Sequence, residues 1–176
     1  MVIADGYHFA HPAQYRRLAE QIPPAERLEV RRRTAQRLAE RGAAPERVAE
    51  HYLAAGDAAA AVRPAAAAAR SAMGSHAYAD ARRWIDAVVD AAAPEDEYEL
   101  RLLEADALAA TGDLDAVPAY RRLIDRTSPA DVALVRTKLA RAALLSGDLA
   151  TAEESLRGLE PDGGPVDGPL LLAQGM

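Results

Sequence analysis

Four histidines, a knot of carboxylates and a block of arginines are the residues here whose types and spacing could do chemistry. His8 and His11 stand three apart with no carboxylate cluster beside them. A metal site needs several converging donors, so packing or capping is the better reading of this pair. His51, between Glu50 and Tyr52, fits the edge of a core, and His76 falls at a turn. Glu95, Asp96, Glu97 and Glu99 crowd together. Paired-acid catalysis would require two of them in one partly desolvated pocket. At a helix start, the positive end of the helix dipole explains the run without catalysis. Arg27, Arg31, Arg32, Arg33, Arg37 and Arg41 form the strongest basic patch, but Glu26, Glu29 and Glu40 interleave with them at helix-pairing spacing. That patch reads as a solvated or domain-contacting face. Lys138 is the only lysine and lies in no glycine-rich phosphate loop, and no cysteine is present to act as nucleophile or thiolate ligand. The expectation is a non-enzymatic protein with no catalytic residue, metal ligand or cofactor site.

The elements that position these groups are helices. Half of the 176 residues are hydrophobic, with alanine and leucine dominant and aromatics at 5%. Alanine orders into helix at no side-chain entropy cost, and no period-two β-branched runs occur. The fold class is all-α. A net charge of −6 disfavours general nucleic-acid binding, which relies on clustered cations releasing counterions. No run approaches the ~18 apolar residues of a membrane span, and Met1 to Gly6 lacks a secretion signal. A cytoplasmic protein with no membrane contact is expected.

Proline and glycine cut the chain into helix-length pieces. Pro12 opens a helix with Tyr15, Leu18, Ala19 and Ile22 on one face. Ala25 to Arg41 forms a second, capped near Gly42, and Pro45 opens a third that closes at Gly56-Asp57. Asp57 to Met73 reads as a helix kinked or broken at Pro64 and ended by Gly74. Ala77–Ala92, Glu95–Thr111, Asp113–Asp125, Ala130–Ser146 and Leu149–Leu159 follow. The joints Gly112-Asp113 and Gly147-Asp148 lie 35 residues apart, and His76 lies 36 before Gly112. Two helices and a tight turn every ~34 residues mark tetratricopeptide arrays, in which stacked hairpins share a core. Glycine supplies positive φ at each turn, and the following Asp can cap the next helix. Ala81 and Ala152 are the small residues at helix crossings. Val117 holds that place in the middle hairpin and Pro118 follows it, so a late or distorted second helix is expected there.

The architecture expected is therefore an αα-superhelix of tetratricopeptide-like hairpins, with residues 1–56 a helical cap segment, 57–165 three repeats and 166–176 the start of a truncated further repeat. In such a superhelix the first helix of each pair lines the concave groove. That register nominates Arg63, Arg70, Glu99, Asp106, Thr137 and Arg141 as groove residues. The exposed apolar run Leu170 to Ala173 either folds over a Leu145, Leu149 and Leu156 face or meets a second chain, so a concentration-dependent homodimer is expected.

Three runs carry a family resemblance: Tyr7-His8-Phe9-Ala10-His11-Pro12, Ile22-Pro23-Pro24-Ala25-Glu26-Arg27, and Pro45-Glu46-Arg47-Val48-Ala49-Glu50-His51-Tyr52-Leu53-Ala54-Ala55-Gly56-Asp57. In this order, ahead of the repeats, they resemble the region after the ATPase module in large ATP-dependent MalT/LuxR-type bacterial transcriptional regulators. The resemblance implies a sensor or protein-interaction segment responding to a protein or small-molecule inducer. The phosphate loop and helix-turn-helix of such regulators do not occur in this sequence, so ATP hydrolysis and direct nucleic-acid binding are not carried over. The alternative is a free-standing tetratricopeptide-type adaptor, and a small helical enzyme is a third, weaker reading.

Overall fold

Proline at the first helical position starts three of the helices, where its fixed φ suits the first turn and its missing N–H costs no bond. These are α1 (Pro24–Glu40), α2 (Pro45–Ala54) and, further on, α5 (Pro94–Ala110). The computed structural model describes residues 2–3, 6–7 and 21–159. The chain divides into two compact units, Met1–Ala61 and Val62–Met176. In the first, Val2–Ile3 pairs antiparallel with Gly6–Tyr7 over two residues each, and α1 packs against α2. Helix α3 (Ala58–Gly74) begins in this unit and continues into the second. The second unit adds α4 (Tyr78–Asp86), a 3₁₀ turn at Val89–Ala91, α5, α6 (Ala116–Ile124), α7 (Val132–Ser146) and α8 (Leu149–Leu156). Each of α4 to α7 packs on the helix that follows it.

Small side chains bring these backbones together. Ala61, Val62, Ala65, Ala66, Ala68 and Ala69 are the buried stripe of α3, and Ala105 and Ala107 are fully buried on α5. A larger core joins α5, α6 and α7 through Leu108, Tyr120, Leu123, Val135 and Leu139. Ala140 and Leu156, with Leu159 against them, form a smaller cluster between α7 and α8.

Five helices end the same way. A residue of positive φ closes each of them, at Gly42, Gly56, His76, Gly112 and Gly147. In each turn that residue's N–H bonds to the carbonyl three back, and the next N–H to the carbonyl five back, as in Gly112→Ala109, Asp113→Leu108, His76→Met73 and Ala77→Ala72. These paired bonds satisfy carbonyls that a helix end leaves open.

The structure corrects the sequence reading in several places. Helix α3 runs unbroken through Pro64. Gly74 is its last residue, and the left-handed position belongs to His76. The helix expected over Ala77–Ala92 stops at Asp86, because Val88 leaves helical geometry at φ −132° and both Val88 and Val89 are buried in the turn. Leu156 is buried, so it shares no exposed face with Leu145 and Leu149. The helix expected after Pro12, His8 and His11, and the Leu170 to Ala173 run lie outside the described residues. No described helix is long and apolar enough to cross a membrane.

Candidate ligand-binding pocket

Asp106 on α5 is the hub of the second unit's polar interior. It accepts a hydrogen bond of 2.6 Å from the Tyr120 hydroxyl on α6, and its two oxygens lie 2.8 and 2.7 Å from Lys138 Nζ on α7. Three helices are thus pinned through one carboxylate. Tyr120 is 2% exposed. Burial first, and then the bond to Asp106, push its phenol far above the ordinary value, so the hydroxyl stays a proton donor. The Asp106 and Lys138 side chains are 25% and 30% exposed, which leaves their outer edges facing a pocket of about 310 Å³.

That pocket is walled by Met73, Ala109 and Ala110 on its apolar side, by the rings of His76, Tyr78 and Tyr120, and by Asp106, Lys138 and Arg141. His76 Nδ1 is 2.7 Å from the Tyr78 hydroxyl, and the two rings meet edge-to-face at 5.8 Å and 73°, a favoured arrangement for aromatic pairs. An apolar wall with a few converging polar groups is the general form of a small-molecule site, whose volumes run from about 300 to 1,000 Å³. The arrangement can bind and orient. Its one carboxylate is tied to a lysine and its hydroxyls to Asp106 and His76, so no pair of groups is set up as nucleophile and base.

A second cleft, of about 260 Å³, lies between α5 and α6, lined by Glu97, Arg101, Glu104, Ala119, Arg122, Leu123 and Arg126. Here the charges other than Arg122 are spent on one another: Arg126 bonds Glu97 at 2.8 Å, and Arg101 lies 3.0 Å from Glu104 and 3.9 Å from Glu97. The Arg126 hydrogen bond holds the Glu97 carboxyl below its usual range. Glu95, Asp96 and Glu97 occupy the first turn of α5, where the helix dipole favours them. In the arginine block, Arg32 and Arg33 pair with Glu29, and Arg32 also with Asp57.

The six groove residues nominated from sequence separate. Asp106 and Arg141 line the first pocket. Arg70 on α3 pairs with Glu99 on α5, outside that lining, and Arg63 is exposed on α3. Thr137 is buried, its hydroxyl donating to the Ala133 carbonyl. Lys138, Tyr120, His76 and Tyr78 were missed. Two signals stood in the sequence: the single lysine among arginines, and a histidine in register with the turn glycines. Among the described residues no three metal-ligating side chains cluster. Comparison of the chain with protein-family models, with curated proteins and with solved structures finds no match.

Proposed function

We propose that this chain is the sensor or protein-interaction segment of a bacterial transcriptional regulator, built from tetratricopeptide-like hairpins that stack as an αα-superhelix, and that it binds a small-molecule inducer. The observation that supports the reading is the pocket around Asp106, Lys138 and Arg141, whose groups suit a ligand and include no paired nucleophile and base. The recurrence of one closing turn at His76, Gly112 and Gly147 supports the repeat assignment. A ligand that prefers the folded state must raise the melting temperature. A thermal-shift screen of small metabolites should therefore yield stabilisers whose effect disappears in Lys138→Met. Stabilisers that act equally on both proteins would remove the pocket from the proposal. The chain should not hydrolyse ATP or bind duplex DNA at physiological salt, and ATP hydrolysis dependent on Lys138 would overturn the non-enzymatic reading.

A free-standing adaptor is the second reading, favoured by one observation. Leu114, Leu145 and Leu149 are 71%, 69% and 62% exposed at the two Gly-Asp-Leu turns, an apolar edge suited to a protein partner.

A further inference from the structure

We infer that the pocket takes a small organic monoanion, a carboxylate carried on a flat and largely apolar body, with Arg141 reading the charge and His76 with Tyr78 reading the body. This rests on the pocket being a ligand site, as proposed above, and names the chemistry it accepts.

The charge follows from what is already spent. Lys138 gives both of its contacts to Asp106 at 2.7 and 2.8 Å, and the Tyr120 hydroxyl goes to the same carboxylate. These three groups compensate one another. Arg141 makes no ion pair among the described residues, yet lies close enough for its charge to be felt at Tyr120. One uncompensated guanidinium suits one carboxylate, which its planar fork can hold with two parallel bonds. A dianion such as a phosphate monoester would find a single cation and the Asp106 carboxylate beside it.

The body follows from His76. Four other helices close through glycine at the left-handed position, and here a histidine adopts φ 60° in its place. A side chain there costs stability that glycine would not. Such a cost persists where the side chain is needed, and strained positions concentrate at ligand sites. The His76 ring lines the pocket and meets the Tyr78 hydroxyl at 2.7 Å, so two aromatic rings share this lining with Met73, Ala109 and Ala110. Aromatic rings and a thioether in one lining favour a planar, largely apolar ligand through stacking and sulfur contact.

The test uses 2-naphthoate, with 2-naphthamide as the neutral isostere and naphthyl phosphate as the dianion, in calorimetry and in NMR of the His76 and Tyr78 rings. Expected are saturable 2-naphthoate binding with a Kd at or below about 1 mM, at least tenfold weaker binding of the amide and the phosphate, and at least tenfold loss in Arg141→Gln. Arg122→Gln, in the second cleft, should bind as the unaltered chain does. His76→Gly should keep or raise the melting temperature while weakening 2-naphthoate severalfold, a combination that a purely structural histidine would not give. Equal binding of acid and amide, or full binding by Arg141→Gln, would overturn the monoanion inference while leaving the pocket a ligand site. No response of either ring to any of the three probes would overturn both.

Discussion

The hairpins α5–α6 and α7–α8 begin from one sequence and end differently. Both turn through Gly-Asp-Leu, at Gly112 and at Gly147, with φ of 70° and 81° and the same pair of closing bonds. In the second, Asp148 accepts a bond from the Thr151 N–H and α8 starts at once. In the first, Asp113 bonds instead to the Asp115 N–H, and α6 waits until Ala116. Pro118 suits the later start. Proline is tolerated in a helix's first turn, where N–H groups lack intrahelical partners, and clashes deeper in. Starting at Ala116 keeps Pro118 in that turn. The small residue at the crossing shifts with it: Ala116 is buried, as Ala81 and Ala152 are in their hairpins. A turn motif fixes the turn; what comes three or four residues later fixes the helix.

The largest contrast should come from the cores. Leu123 belongs to the cluster joining three helices, whereas Leu156 has mainly Ala140 and Leu159. Leu123→Ala should cost about 3–5 kcal/mol and Leu156→Ala about 2–3 kcal/mol, both within the range for buried leucines; equal denaturant midpoints would dissolve the distinction. Next are the turns. A Cβ at Gly112 or Gly147 meets nothing within 4 Å, so valine at either should cost the left-handed strain alone, about 1–2 kcal/mol, and the same in both. A third comparison concerns the caps. Asp148→Ala should lower the melting temperature by a few degrees, and Asp113→Ala by less, because of these two only Asp148 caps its helix. The smallest effect is in pH. Hydrogen bonds from Thr151 hold the Asp148 carboxyl below its ordinary 3.8. Its stabilising contribution is therefore complete above that value and lost as pH falls through the lower folded one. The advantage of the unaltered chain over Asp148→Ala should shrink on acid titration, and an advantage constant to pH 2 would contradict the cap.

Much of this was legible in the residues. Prolines at helix starts, glycines at closing turns and the late α6 follow from local sterics, which a sequence states directly. The register of His76 with Gly112 was equally readable. The pocket was less so, for a geometric reason. Successive residues on a helix point about 100° apart, so a one-position error exchanges interior for surface. Sequence register put Thr137 in the groove, while its neighbour Lys138 lines the pocket and Thr137 is buried. The partner of Lys138 is 32 residues away, and the partner of Tyr120 is 14 away on another helix. No local pattern records such a meeting. The helix end at Asp86 was also hidden, because burial of Val88 and Val89 is a tertiary decision.

The Lys138 contact has a chemical consequence of another kind. Every other cationic side chain of the Lys/Arg class in this chain is a guanidinium, inert to mild acylating reagents. The amine holding Asp106 is therefore the sole side-chain amine along all 176 residues. Acylation there would erase one cation, leave the Asp106 carboxylate to Tyr120 alone, and add a single mass increment on a single peptide. The ion pair that joins α5 to α7 thus carries its own label, and the rate at which that label is acquired reports how often Lys138 releases Asp106.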